Sequence, residues 1–111
     1  MSAAVRPFVT QLRARPGIVS VPGGADARLT VRVELPEQWD TIACDVAGDT
    51  PVRTLKQSAL AAFGLGSAIA EDYVMMVHGA EVLGEGESVA HSGARDGSTY
   101  LLTYRRRRPV R

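Results

Sequence analysis

The chain has 111 residues, 45% of them hydrophobic and 23% charged. That balance suits one small globular domain and excludes two independent cores, a collagen-like repeat and a wholly disordered chain. The formal net charge of +1 hides an uneven spread: Arg6, Arg13, Arg15 and Arg28 oppose Asp26, residues 29–104 carry eleven acids against four bases, and residues 105–111 carry five arginines. An acidic body lies between two basic ends. No apolar run approaches the roughly 18 residues that span a bilayer, and the first residues hold no continuous apolar signal core, so a cytoplasmic protein without a membrane span is expected.

Residues 1–27 mix Arg, Pro and Gly, as in Arg15-Pro16-Gly17 and Pro22-Gly23-Gly24, with no sustained apolar period. They read as a flexible basic arm, extended or disordered, in which residues 8–12 could form a helical turn or a docking peptide. At Leu29 the pattern changes. Leu29, Val31, Val33 and Leu35 alternate with Thr30, Arg32 and Glu34, the period-two signature of a strand with one buried face. Pro36-Glu37-Gln38-Trp39 breaks the run, and Ile42, Cys44 and Val46 then alternate with Thr41, Ala43 and Asp45, which predicts an antiparallel hairpin.

A helix is expected next, with Thr50 as N-cap, Pro51 at the first helical position and Gly64 as the left-handed C-terminal cap. Val52, Leu55, Ala59 and Phe63 fall on one face of it. Tyr73-Val74-Met75-Met76-Val77-His78 predicts a third strand closed by Gly79, and Glu81-Val82-Leu83 a short fourth. Gly84-Glu85-Gly86-Glu87 makes a turn, Val89 and Ala94 anchor an irregular stretch over residues 88–96, and a last strand over residues 99–104 points Tyr100, Leu102 and Tyr104 inward.

The order hairpin, helix, strand, short strand, final strand is that of the β-grasp, and over residues 29–108 the chain resembles ubiquitin-like proteins. The residues that carry the resemblance are Leu29-x-Val31-x-Val33, Ile42-x-Cys44-x-Val46-x-x-Asp49-Thr50, Leu55-Lys56, the run from Tyr73 through Gly79 to Leu83, and Ser98-Thr99-Tyr100-Leu101-Leu102-Thr103-Tyr104-Arg105-Arg106. It implies an α+β fold, a mixed sheet on one long helix, spanning residues 28–105 between the arm and a basic tail at 106–111. It also places the surface isoleucine by which ubiquitin is recognised on Met76, the His and Val of the same patch on Leu101 and Thr103, and the mobile loop leucine on Trp39.

Alternation supports that placement from the residues themselves. With Tyr73, Met75, Val77, Tyr100 and Leu102 filling the inner face, Val74, Met76 and Leu101 are left facing solvent. The resemblance further makes Lys56, the chain's single lysine, a helix residue buried against an acidic loop, with Glu85 or Glu87 as partner; the alternative is a solvated helix residue. Ubiquitin and the sulfur carriers end in Gly-Gly, whereas this chain ends Arg107-Arg108-Pro109-Val110-Arg111.

Chemistry-bearing residues are sparse. One cysteine, Cys44, makes no internal disulfide and no multi-thiolate zinc site. It falls on an inward strand position, and His78 and His91 sit at a strand end and in a polar loop, so no Cys-His nucleophile, metal site or cofactor is expected. The glycines of residues 84–87 alternate with carboxylates, which argues against a phosphate cradle. Arg105, Arg106, Arg107 and Arg108 could contact phosphates, extend the last strand, meet an acidic partner or be a solvated tail. The acidic body and the lack of an aromatic stripe weigh against nucleic acid.

The expected function is that of a non-catalytic interaction module of bacterial type, docking a protein through Trp39, Val74, Met76, Leu101, Thr103, Arg105, Arg106 and Arg107. Resemblance to the YukD-like proteins of type VII secretion, which share the fold without a Gly-Gly end, suggests a secretion accessory. The small β-grasp subunit of multicomponent monooxygenases is another setting. The alternative is a modifier or sulfur carrier joined through its C-terminus.

Overall fold

The computed structural model of the protein describes residues 13–105. Six strands form one mixed sheet: β1 (Arg13–Ser20), β2 (Arg28–Leu35), β3 (Asp40–Ala47), β4 (Tyr73–Val77), β5 (Ala80–Glu81) and β6 (Thr99–Tyr104), in the spatial order β1-β3-β2-β6-β4-β5. The β1/β3 and β2/β6 pairs are parallel and the rest antiparallel. Among the described residues a single α-helix, α1 (Val52–Ala62), packs on one face. Among the described residues no helix is long and apolar enough to cross a membrane.

The alternating runs form the strands they predict. Val31, Val33, Leu35, Ile42, Cys44 and Val46 point under the helix, while Thr30 and Arg32 are exposed on the other face. The hairpin turns through a short 3-10 segment, Pro36–Gln38, that ends on Trp39 in the left-handed region at φ 53°. Helix residues Val52, Leu55, Ala59 and Leu60, with Phe63 just past the helix end, meet Met75, Val77, Tyr100 and Leu102 in one core, with Val89 and Ala94 closing it from the 88–96 stretch. Ser92 Oγ lies 2.6 Å from the hydroxyl of Tyr100, giving that buried polar tip a partner.

The helix ends as its glycine predicts. Gly64 adopts φ +84°, Leu65 N–H donates to Leu60 O and Gly64 N–H to Ala61 O, which together make a Schellman cap. Its start differs from the expected Thr50 cap. Pro51 is the capping residue and no side chain caps; the first helical N–H groups, of Val52 and Arg53, donate instead to Glu87 O and Glu85 O at 2.9 and 2.8 Å. Thr50 is fully buried, its hydroxyl turned to Gly23 O at 3.4 Å. The loop across the helix satisfies the donors that a cap would have satisfied.

Three further expectations are corrected. The fourth strand is Ala80–Glu81 rather than residues 81–83, because His78 and Gly79 both have positive φ and make a two-residue turn that starts pairing at Ala80. Tyr104 is exposed rather than inward: at the end of β6 its ring meets the edge of Tyr73, centroids 5.3 Å apart, instead of the helix.

The third correction concerns the arm. Residues 13–20 pair in parallel with β3, and Val21 is fully buried in the core, its N–H donating to Asp45 O. A register break between Ala14 and Ile18, spanning Pro16 and Gly17, interrupts the strand, so little alternation survives in its sequence. Residues 1–12, with the proposed docking turn at 8–12, and the tail 106–111 lie outside the described residues.

The crossover that follows β1 is fastened at several points. The Asp49 carboxylate accepts the N–H groups of Ala25 and Asp26 at 2.9 to 3.0 Å. Arg28 donates to Val21 O and Asp45 O, each at 2.9 Å. Gly24 runs so close to Ala47, Asp49 and Thr50 that a Cβ there would lie 2.6 to 2.7 Å from their atoms, and its φ is +79°.

Candidate binding face

The sheet face opposite α1 is laid out by strand register. Met76 on β4 lies directly opposite Leu101 on β6; Glu34 on β2 flanks Leu101, Glu81 on β5 flanks Met76, and Thr41 on β3 flanks Glu34. Side chains paired across a ladder share a face, so Thr41, Glu34, Leu101, Met76 and Glu81 form one row across five strands. A second row pairs Val74 with Thr103, and a third runs Ile18, Ala43, Arg32, Thr99. Met76, Leu101 and Thr103 are half-buried, and Ile18 at the sheet margin is 62% exposed.

The expected face is thus assembled in part. Met76, Leu101 and Thr103 come together; Val74 is in the same place but buried, at 8% exposure, and is corrected from a solvent-facing residue. It is a short branched side chain on an inner strand, between Thr103 across the ladder and the longer Met76 two residues on, and it stays outside the core cluster beneath the helix. Trp39 is exposed at the β2–β3 corner, and Glu37 on the same turn accepts the N–H of Tyr104, which ties the corner to the end of β6. Arg106 and Arg107 lie outside the described residues.

Arg105 is exposed, but its guanidinium is turned to the rim of β4, where it reaches Glu71 O at 3.4 Å and the Glu81 carboxylate at 3.5 Å. Glu34, Glu81 and Ile18 join the face although none of them is among the expected residues. Glu34 was visible as an outward position of an alternating strand; Glu81 needed the His78-Gly79 turn to set its register, and Ile18 needed β1.

Lys56 has a structural role. Its side chain is 3% exposed, and its ammonium donates to Tyr73 O at 2.8 Å and contacts both oxygens of Glu85 at 2.7 and 2.9 Å. The partner is Glu85; Glu87 instead stands 3.6 Å from His91. Cys44 is fully buried, and loss of solvent pushes its thiol up to about 12, so it holds no thiolate at neutral pH. His78 Nε2 lies 3.1 Å from Gly93 O. Among the described residues no three His, Cys, Asp or Glu side chains are grouped to hold a metal ion.

No protein-family model matches the sequence, and no curated protein matches it significantly. Solved structures do match in shape. A ubiquitin-like domain of an Arabidopsis thaliana protein is similar with TM-score 0.60 and 13% identity, over 80% of this chain and 89% of that one. A de novo design based on ubiquitin is similar with TM-score 0.62 and 17% identity, over 78% and 100%. Caldiarchaeum subterraneum ubiquitin is similar with TM-score 0.61 and 13% identity, over 73% and 98%. At these identities the likeness establishes the fold, an α+β ubiquitin-like β-grasp with its mixed sheet on one helix.

Proposed function

We propose that the chain is a non-catalytic ubiquitin-like interaction module that docks a protein partner on the sheet face opposite α1. Met76 and Leu101 are its centre, Thr103 and the buried Val74 support them, Trp39 and Arg105 border it, and Arg106 and Arg107, outside the described residues, are proposed as further contacts. The observation that carries this reading is the direct pairing of Met76 with Leu101 on the face the helix leaves free. The core on the inner face is complete without them, so two large apolar side chains on adjacent central strands have no intramolecular use, and such residues anchor interfaces. Bacterial origin and service to a secretion system belong to the same proposal and rest on the YukD-like resemblance, service to a multi-subunit enzyme rests on the resemblance to the small monooxygenase subunit, and a cytoplasmic setting rests on the sequence's lack of an apolar span. A modifier or sulfur carrier would act through C-terminal residues outside those described.

The test is capture from source lysate by the parent chain, by Met76→Asp and by Thr30→Asp, a control on the same sheet far from the apolar pair. Proteins held by the parent and the control should be lost with Met76→Asp, while its melting temperature stays within a few degrees of the parent. Unchanged capture, or unfolding of Met76→Asp, would overturn the proposal.

A further inference from the structure

In the row that centres the face, the apolar pair is bracketed by carboxylates. Glu34, Leu101, Met76 and Glu81 occupy successive strands, so at about 4.8 Å per strand the two acids stand about 15 Å apart with the apolar pair between them. Resting on the docking reading above, we infer that the segment this face takes is an extended basic peptide of a partner protein. It carries a large apolar side chain with Arg or Lys two residues before it and two residues after it.

In an extended chain laid across the strands, residues i and i+4 project to the same side about 13 Å apart, with i+2 midway. Two basic side chains then reach Glu34 and Glu81 while the central one rests on Leu101 and Met76. The other charges near the face leave this match intact. Asp45 is held by Arg28 at 3.2 Å and Glu37 by the N–H of Tyr104. Arg32 stands one row away, beside Thr99. Arg105 does contact Glu81, but at 3.5 Å with both groups exposed, an ion pair that an incoming guanidinium displaces at little cost. The excess of acids within residues 29–104 favours a basic segment locally, although the basic ends bring the whole chain to +1.

The experiment uses the full chain and three synthetic peptides, Ser-Arg-Ser-Leu-Ser-Arg-Ser, its Glu-for-Arg counterpart and its Ser-for-Leu counterpart, followed by the NMR signal of the Met76 methyl group. The Arg-Leu-Arg peptide should shift that signal at millimolar concentration. Its affinity should exceed that of either counterpart by about tenfold, fall as salt is raised, and drop in Glu34→Gln/Glu81→Gln, a pair of surface changes that leaves the melting temperature alone. Glu34→Lys/Glu81→Lys should reverse the preference toward the acidic peptide.

No shift at saturating peptide, equal or tighter binding of the acidic peptide, or indifference to Glu34→Gln/Glu81→Gln overturns the inference. So does a shift that appears only when Arg106, Arg107 and Arg108 are changed to Ser, because the chain's own tail would then be the occupant. The two readings fail separately: lysate capture that depends on Met76 but not on Glu34 and Glu81 keeps the docking face and removes the basic segment.

Discussion

The single lysine is where one residue's surroundings matter most. An ammonium on a side chain 3% exposed is tolerable only because Glu85 neutralises it and Tyr73 O accepts a further hydrogen bond from it. Removing one member of a buried pair leaves the other charge uncompensated, which costs more than the pair contributes. Glu85→Gln should therefore destabilise the fold by about 3 kcal/mol, a drop in melting temperature of roughly 12–24 °C for a domain of this size. Adding Lys56→Met to Glu85→Gln should restore part of the loss; a double variant no better than the single would show that shape, not charge, sets the cost.

Cys44 gives a second prediction at this scale. Burial raises its folded pKa from 9.0 to about 12, so between those values the unfolded chain releases the proton and the folded chain keeps it. Its contribution is whole below pH 9 and lost as pH rises toward 12. Cys44→Ala should flatten the alkaline decline of stability followed by denaturant titration; an unchanged decline would assign it to other groups, Tyr100 among them. The resemblance to ubiquitin-like proteins points Lys56 at an acidic loop but does not choose Glu85 over Glu87, since the choice depends on how that loop folds back on the helix.

At the scale of elements, hairpin, helix and central strands were legible because each buries one face and so repeats at the period of its backbone. β1 was not, for a physical reason. Pro16 and Gly17 break its register, it lies at the margin of the described sheet, and its Val19 packs against the core with Val21, just past its end, inside it. The helix start was misread because its donors are satisfied by Glu85 O and Glu87 O, contacts across more than thirty residues that no local signal announces.

The fastening of the crossover makes three predictions. Val21→Ala removes fully buried apolar surface and should cost about 2 kcal/mol, and a chain beginning at Ala27, which loses β1 and Val21 together, should melt well below the parent; equal melting would mean that β1 contributes nothing. Asp49 answers to pH. The N–H groups of Asp26 and Ala25 hold its carboxyl below the usual range, so its contribution is present above the ordinary carboxylate pKa and lost as pH falls through the lowered one. Asp49→Asn should remove that part of the acid dependence, and an identical acid-unfolding profile would show that the carboxylate does not hold the loop.

For the whole molecule the question is whether these parts behave as one. The core cluster takes side chains from the crossover at Val21, from four strands, from the helix and from the loop residues Val82, Val89 and Ala94. No smaller unit has a core of its own, and α1 cannot leave without stranding Lys56, nor the 84–87 loop without uncapping α1. Unfolding should therefore be a single cooperative step. Two buried reactive groups report on it from opposite layers, the thiol of Cys44 on β3 and the ammonium of Lys56 on α1. In rising denaturant, thiol labelling of Cys44, amine labelling of Lys56 and loss of far-ultraviolet circular dichroism should share one midpoint. If Lys56 becomes reactive at lower denaturant than Cys44, the helix and its loop open first, and the sheet is stable without them. That outcome would make α1 and the 84–87 loop a separable cover rather than half of a single core.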